Sequence, residues 1–492
     1  MKSTVLDEQA CYAALKAHDT RFDGRFFVGV SSTGIYCRPI CRVKIPKAEN
    51  CSYYVSAASA ESAGFRPCLK CRPELAPGNS LMDSVEQIAR KAALAIEEGN
   101  LTDGSLSGLA DALGITDRHL RRAFAAEYGV SPVQYLQTCK LLLAKSLLTD
   151  TDLPVTEVAM SSGFGSIRRF NDLFKTRYKL APQNLRKFSA QHQSENQEGI
   201  TLFLGYRPPY EWKTFLSFLA DRAISGVENV AEGSYRRTVT VQSGNKTYRG
   251  WISVINVAQR NSLAVTLAPA LLPVLSKVLS KLRLFFDVNC NPQEIFEKLA
   301  TMNDLAEGMC VSGTRLPGSL DSFEIAVRAI LGQQITVKAA RTLAVRFTAT
   351  FGESIDTPFQ EVARTFPAPE TICGLASSVE DQLGALGITR ARARSISSLA
   401  QALTQGHVRL SPHVVNPVGE MEKLLKIPGF GPWTVQYLAM RALAWPDAFP
   451  HTDHGVKKAL HGLSDAKILS LSEAWRPWRS YATVALWNSL GA

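Results

Sequence analysis

The chain reads as a multidomain protein, mostly α-helical, with a small α+β segment at its N-terminus and a small antiparallel sheet near its middle. Three observations predict this. At 492 residues it is longer than one hydrophobic core usually organises, and its 46% hydrophobic content can fill several. Apolar residues return every three or four positions in residues 80–99 and 134–148, and helical patterning dominates from about 290 onward. Residues 200–285 alternate instead, as in Arg237-Thr238-Val239-Thr240-Val241 and Trp251-Ile252-Ser253-Val254-Ile255, with a turn at Ser243-Gly244-Asn245.

Charge and termini narrow the class. A net charge of +11 suits a polyanionic partner, although so small a surplus on so long a chain equally suits solubility. The N-terminus has no apolar core of signal-peptide length, and the most apolar run, residues 263–275, is short and broken by proline. A soluble, cytoplasmic protein without membrane contact is expected. Ten cysteines in a reducing compartment are not expected to be structural disulfides, so clustered ones call for a metal or for chemistry.

Cys37 with Cys41, and Cys68 with Cys71, are two close pairs of the kind that closes a tetrahedral tetrathiolate site around one zinc ion. Four unrelated buried thiols are the alternative. Cys11 and Cys51 have no paired spacing and read as ordinary thiols. Four thiolates on a divalent ion leave about −2 of charge and keep each sulfur nucleophilic. A methyl group accepted by one of them would leave a neutral thioether and a site of about −1, less repelled by phosphates.

The residues around the quartet match a family. Ser32-Thr33-Gly34-Ile35-Tyr36-Cys37-Arg38-Pro39, with Gly64-Phe65-Arg66-Pro67-Cys68 and Cys71, resembles the zinc domain of the Ada family over residues 1 to about 76. The resemblance implies that Cys37 takes a methyl group from a DNA methylphosphotriester, irreversibly and stoichiometrically, while Cys41, Cys68 and Cys71 serve as ligands. Arg38, Arg42, Lys44, Lys47, Arg66, Lys70 and Arg72 would surround a phosphate-facing site, or form a solvated basic face.

Residues 80–188 then repeat. Leu109-Ala110 with Gly114 returns as Val158-Ala159 with Gly163, and Phe124, Tyr128 and Pro132 return fifty residues later as Phe174, Tyr178 and Pro182. Each copy has a helix, a glycine turn and a second helix carrying bases, which is the form of a helix-turn-helix reading the major groove. The bases are Arg118, His119, Arg121 and Arg122 in the first copy and Arg168, Arg169, Lys175 and Arg177 in the second. A helical bundle with a basic surface is the plainer alternative. Ser161-Ser162-Gly163-Phe164-Gly165-Ser166, followed by Arg169-Phe170-Asn171 and Pro182-Gln183, resembles the AraC type of transcription factor. The resemblance makes residues 1–190 one regulatory module, with RNA polymerase as an expected partner beside DNA.

In the second half, Leu424 to Thr434 reads as a helix-hairpin-helix. Gly429 and Gly431 permit the tight turn, and the amides opening the next helix present its positive end to a phosphate. With Asp453 downstream, it resembles the helix-hairpin-helix DNA glycosylases, and the AlkA type of 3-methyladenine glycosylase over residues 200–490. Tyr206-Arg207-Pro208-Pro209-Tyr210-Glu211-Trp212, Arg328-Ala329-Ile330-Leu331-Gly332-Gln333-Gln334 and Trp475-Arg476-Pro477-Trp478-Arg479-Ser480-Tyr481 carry the wider match. The resemblance implies excision of 3-methyladenine and 7-methylguanine by base flipping, with Asp453 stabilising positive charge on the sugar. Trp433 stands where strand-cleaving relatives have lysine, so base release without strand cleavage is expected. Trp433 and Tyr437 share a helix face, and with Trp478 they are the expected aromatic pocket for a cationic base. Gln334 stands where the family carries a leucine wedge. His451, Asp453 and His454 also admit a metal reading.

The expected organisation is therefore a zinc methyl-acceptor domain (1–78), a double helix-turn-helix (80–188), a linker (189–199), a small antiparallel-sheet domain (200–288) and a helical glycosylase core (289–492). A monomer in the bacterial nucleoid is expected. No Pro-Cys-His-Arg run occurs, so the second methyltransferase domain of Ada proteins is not expected. The rival reading is a transcription factor whose second half is an inactive DNA-binding platform.

Overall fold

The computed structural model describes residues 7–77, 87–99, 105–189, 199–375, 379–414 and 416–491. The chain forms two units, one of residues 1–208, 257–283 and 288–291, the other of 209–256, 284–287 and 292–492. In the first, α1 (Glu8–Ala17) is opened by Asp7, whose carboxylate accepts from the amides of Gln9 and Ala10. Strands β1 (Phe27–Val30), β2 (Ile35–Cys37), β3 (Cys51–Tyr54) and β4 (Arg66–Pro67) form a sheet in the order β3-β1-β2-β4. β1 pairs antiparallel with both neighbours, and β4 runs parallel to β2. Helix α2 (Ala57–Ser62) starts at a capping box between Ser56 and Ser59 and buries Ala57 and Ala60 with Phe27 and Tyr36. Cys11 is an ordinary core thiol beside Leu15, Phe26 and Val28, and burial pushes its pKa up to about 11.

The helix expected over 80–99 is described as α3 (Gln87–Glu97); residues 80–86 lie outside the described part, as does 190–198 of the linker. The internal repeat takes the form of two three-helix copies: α4 (Leu106–Ala112), α5 (Asp117–Tyr128) and α6 (Pro132–Asp150), then α7 (Val155–Ser161), α8 (Ile167–Tyr178) and α9 (Pro182–Ser189). The same physics recurs in each. Thr116 and Ser166 cap α5 and α8 by accepting from the amides of His119 and Arg169. Phe124 and Tyr128 have ring centroids 4.6 Å apart, and Phe174 and Tyr178 4.7 Å apart, in equivalent core places. α6 runs unbroken for 19 residues and joins the copies. It is fastened to the N-terminal segment by Lys145 Nζ, 2.6 Å from both carboxylate oxygens of Glu74, and by Asp150, 2.6 Å from Arg72.

The expected alternating segment gives β5 (Ile200–Gly205), helix α10 (Trp212–Arg222), β6 (Glu228–Ala231), β7 (Ser234–Ser243), β8 (Lys246–Val257) and β9 (Ser262–Leu267). β5 pairs antiparallel with β9 in the first unit; β6, β7 and β8 form an antiparallel meander in the second. Ser243 pairs with Lys246 across a two-residue turn in which Gly244 has φ +58°. Helices α11 (Leu275–Phe285), α12 (Pro292–Leu299), α13 (Ser322–Leu331), α14 (Val337–Phe351), α15 (Pro369–Cys373), α16 (Val379–Gly384) and α17 (Arg390–Thr404) follow. The chain continues through α18 (Pro417–Leu424), α19 (Pro432–Arg441), α20 (His454–Ala459), α21 (Asp465–Ser472) and α22 (Arg479–Asn488). A buried ion network sets α13 on the meander: Arg237 of β7 and Arg328 each reach Glu324 at 2.6 Å. It thereby fixes where α13 ends, at Gly332-Gln333-Gln334. Among the described residues no helix is long and apolar enough to cross a membrane.

The Glu74 contact has a measurable consequence. Burial alone would raise its carboxyl, but Lys145 and Arg72 overcome that and hold it below the usual carboxylate range. Its contribution is therefore full above that range and lost as pH falls through the depressed value. Glu74→Gln strands Lys145, whose side chain is 1% exposed. Urea denaturation at neutral pH should show a loss of about 3–5 kcal/mol in the first unit. A loss below about 0.5 kcal/mol, typical of a surface substitution, would mean that the pair is not a structural clamp.

Candidate functional site

The sheet register assembles the cysteine quartet. Parallel pairing sets Ile35 opposite Arg66 and Tyr36 opposite Pro67, so the next residue of each strand is a cysteine. The Cys68 amide donates to the Tyr36 carbonyl at 3.0 Å, which locks that register. Cys41 returns by a turn from Arg38. The four Sγ atoms lie within 4.8 Å of one another. Zinc–sulfur bonds of ~2.3 Å at tetrahedral angles put sulfurs about 3.8 Å apart, so this donor set fits zinc. Backbone amides support it: Arg38 donates to Cys71 Sγ and Lys70 to Cys68 Sγ, both at 3.4 Å. The quartet holds one zinc ion through Cys37, Cys41, Cys68 and Cys71.

The expected basic rim needs two corrections. Arg38 is buried; its guanidinium chelates Asp23 and donates to the Cys71 carbonyl, so it straps one cysteine knuckle to the other. Arg72 turns inward to Glu74 and Asp150. Arg38 is consumed by Asp23, 15 residues away, and Arg72 by its neighbour Glu74 and by Asp150, 78 residues away. Arg42, Lys44, Lys47 and Lys70 are exposed, and Arg66 is half-buried.

On the reading helices, Arg118, Arg121, Arg122, Arg168, Arg169 and Lys175 are exposed, and His119 is half-buried. Arg121 pairs with Asp117 one turn earlier at 3.0 Å. Arg177 departs from expectation: its Nη1 donates to the main-chain carbonyl of Glu61 at 3.0 Å, so it faces α2 rather than solvent.

In the second unit Asp453 is the N-cap of α20. Its Oδ1 accepts from the Val456 amide at 3.1 Å and from Trp487 Nε1 at 2.8 Å, and its Oδ2 accepts from Trp433 Nε1 at 2.8 Å. Three N–H donors thus orient one carboxylate. Trp433 stacks on Tyr437 with centroids 5.5 Å apart, and Tyr437 lies 6.3 Å from Trp487. Phe218 of α10 stacks on Trp487 at 5.9 Å. Arg222 lies 3.9 Å above Phe218, and Arg441 donates to the Tyr437 hydroxyl at 3.0 Å.

The pocket expectation is corrected at its third aromatic. Trp478 is buried at the N-cap of α22, edge-on to Tyr481, and the indole that reaches Asp453 is Trp487, more than two turns further along that helix. Thirty-four residues separate Trp487 from Asp453, so no local pattern marks it. Phe218 was hidden for the same reason. The metal reading of His451, Asp453 and His454 finds no support: among the described residues the cysteine quartet is the only cluster of three or more converging ligand atoms.

Gly429 has φ +81°, and a Cβ there would lie 2.2 Å from Ser395 Oγ, so the hairpin requires glycine on both counts. Gly431 is the N-cap of α19 and Pro432 its first residue, leaving that helix start without a side-chain cap. Gln333 Nε2 donates to the Gly429 carbonyl at 2.9 Å and to Thr434 Oγ1 at 3.0 Å, a link that sequence did not reveal. The next residue, Gln334, is exposed at φ +57°, a conformation rare outside glycine. A projecting side chain on strained backbone is thus set beside the hairpin.

The sequence matches four families along its length. Residues 10–74 match the metal-binding domain of Ada, 109–187 a helix-turn-helix domain, 201–321 the AlkA N-terminal domain, and 327–473 the HhH-GPD superfamily of base excision DNA repair proteins. A probable bifunctional transcriptional activator/DNA repair enzyme AlkA of Mycobacterium tuberculosis is 34% identical over 492 residues, covering 98% of this chain and 97% of the relative. DNA-3-methyladenine glycosylase 2 of Escherichia coli is 37% identical over 289 residues, covering 58% of this chain and 97% of its own. The bifunctional activator/repair enzyme Ada of Escherichia coli is 33% identical over 163 residues, which is 33% of this chain and 44% of the relative.

Elemental analysis of the purified chain should return one zinc per molecule, and Cys68→Ala should lose it on dialysis against a mild chelator. Retention of a full equivalent by that variant would contradict the four-ligand site.

Proposed function

The chain belongs to the family of bifunctional transcriptional activators and DNA repair enzymes of the AlkA type, and from that premise we propose how its residues divide the work. It is a DNA alkylation-repair glycosylase joined to an Ada-type methyl acceptor and regulator. The observation that carries the glycosylase assignment is Asp453, held through both oxygens by Trp433 and Trp487 beside a wall of stacked aromatic rings. A flipped alkylpurine, being cationic, is attracted to such faces. As its bond to the sugar breaks, the bonding electrons leave with the base and the sugar becomes positively charged. Asp453 stabilises that charge and positions the water that adds to the sugar carbon. Trp433 supplies no amine, so the reaction ends at an abasic site with the strand intact. Gly429, Gly431 and the open start of α19 hold a phosphate, and Gln334 fills the space left by the base.

In the first unit Cys37 acts as the acceptor. Its sulfur attacks the methyl carbon of a phosphotriester; the S–C bond forms as the O–C bond breaks, and the phosphate keeps the electron pair as a diester. When bound, zinc keeps the four sulfurs deprotonated. Cys71 is the least buried of the four, so exposure alone does not select Cys37. The assignment rests on its place in the Ada-like sequence. Loss of one negative charge then favours DNA, read by Arg118, Arg121, Arg122, Arg168 and Arg169, with RNA polymerase as partner and the chain as a monomer.

Duplex DNA containing 7-methylguanine or 3-methyladenine should lose the base without nicking. Asp453→Asn should slow release at least about a hundredfold, and Trp487→Phe, which removes one donor, about tenfold. Equal rates in all three proteins would remove Asp453 from catalysis, and no release by the wild type would leave the second half a binding platform. Mass spectrometry after incubation with methylphosphotriester DNA should place one methyl group on Cys37, absent in Cys37→Ser. A methyl on another cysteine would move the acceptor.

A further inference from the structure

We propose that Gly455 is a positioning residue of the glycosylase: by having no side chain, it admits the Trp487 indole to Asp453. The proposal rests on the glycosylase reading and deepens it, naming what allows the carboxylate its second indole donor. Gly455 is half-buried in the first turn of α20, two residues after Asp453. A Cβ there would lie 2.7 Å from Trp487 Cδ1 and 3.0 Å from both Trp487 Nε1 and Asp453 Oδ1. It would therefore press on both ends of the 2.8 Å hydrogen bond between them.

Neither end of that bond yields without loss. The indole is confined: Phe218 stacks on it with the ring planes 15° apart, Tyr437 lies across from it, and its helix α22 packs on α20. Asp453 is held by Trp433 through Oδ2 and by the Val456 amide through Oδ1, in the same turn that contains Gly455. Non-bonded carbon atoms settle about 3.5–4.0 Å apart, so a methyl group at 455 pushes the indole back by roughly an ångström. The bond from Nε1 to Oδ1 then lengthens and bends, and the carboxylate loses the donor that α22 supplies.

The backbone itself does not call for glycine at this position. Gly455 is helical with no left-handed φ, and glycine in a helix is less stable than alanine because it has more backbone freedom to lose. Gly429 of the hairpin answers to a positive φ as well as to a crowded neighbour, whereas Gly455 answers to space alone. The atoms that use the space are those of one contact, the indole N–H on Asp453. A residue without a side chain thus sets the orientation of a carboxylate two positions away, through an indole that arrives from another helix.

The test pairs single-turnover base release from 7-methylguanine DNA with nitrogen–proton spectra of the indole N–H groups, both on the full zinc-loaded chain. The Trp487 resonance is the one that disappears in Trp487→Phe. In Gly455→Ala it should move upfield and exchange faster with water. Maximal release should fall about tenfold, with the enzyme concentration for half-maximal rate unchanged. Adding Gly455→Ala to Trp487→Phe should cost less than about twofold more, because the bond that the methyl disturbs is already gone; independent effects would multiply to about a hundredfold. A phenyl ring also leaves room for the methyl, so if the alanine variant melts below the assay temperature, the double variant should not. An unchanged Trp487 resonance in Gly455→Ala, multiplied losses in the double variant, or loss of folding in both overturns the positioning role and leaves the glycosylase standing. No release by the wild type overturns the glycosylase reading, and the positioning role with it.

Discussion

Like charges brought together without water are the constraint around which this molecule is arranged. Four sulfurs converge within 4.8 Å, and as thiolates they repel one another unless a cation sits between them. The sheet cannot relax to separate them, because the parallel register of β2 and β4 and the Arg38–Asp23 strap fix the two knuckles. The metal is therefore part of the fold that surrounds it. The second unit states the same problem with one charge: three N–H donors hold the Asp453 carboxylate in place. In both units a negative group is held in place by its neighbours, beside exposed basic side chains in the first and stacked aromatic rings in the second.

What the sequence revealed follows from distance along the chain. The cysteine pairs, the duplicated helix-turn-helix and the Gly429/Gly431 hairpin are local patterns, and local geometry decides them. The strands at Arg237–Val241 and Trp251–Ile255 were legible because alternation survives one-sided burial. Arg38, Arg72 and Arg177 were misread as a basic face because a guanidinium looks the same in sequence whether it meets solvent, Asp23, Asp150 or the Glu61 carbonyl. Trp487 and Phe218 join the pocket from helices α22 and α10, and no spacing rule relates them to Asp453. Trp478 fitted the expected pattern but is buried against Tyr481 at the start of α22.

Gln333 shows how tightly the reading parts of the glycosylase unit are joined. Its side chain bonds to the Gly429 carbonyl and the Thr434 hydroxyl, while its neighbour Gln334 projects outward. The loop that carries Gln334 and the hairpin thus share one hydrogen-bonded link. Behind them, the Arg237–Glu324–Arg328 network anchors α13 on the meander. A chain of polar contacts runs from a buried sheet to the exposed tip.

The unbroken α6 also makes the regulatory unit a ruler. At ~1.5 Å per residue a helix of 19 residues spans roughly 28 Å. With α6 clamped at Lys145 and Asp150, the connector has little freedom to stretch. The two copies are therefore held at a spacing that the connector sets, and the distance between half-sites in a promoter becomes as much a part of recognition as the bases themselves.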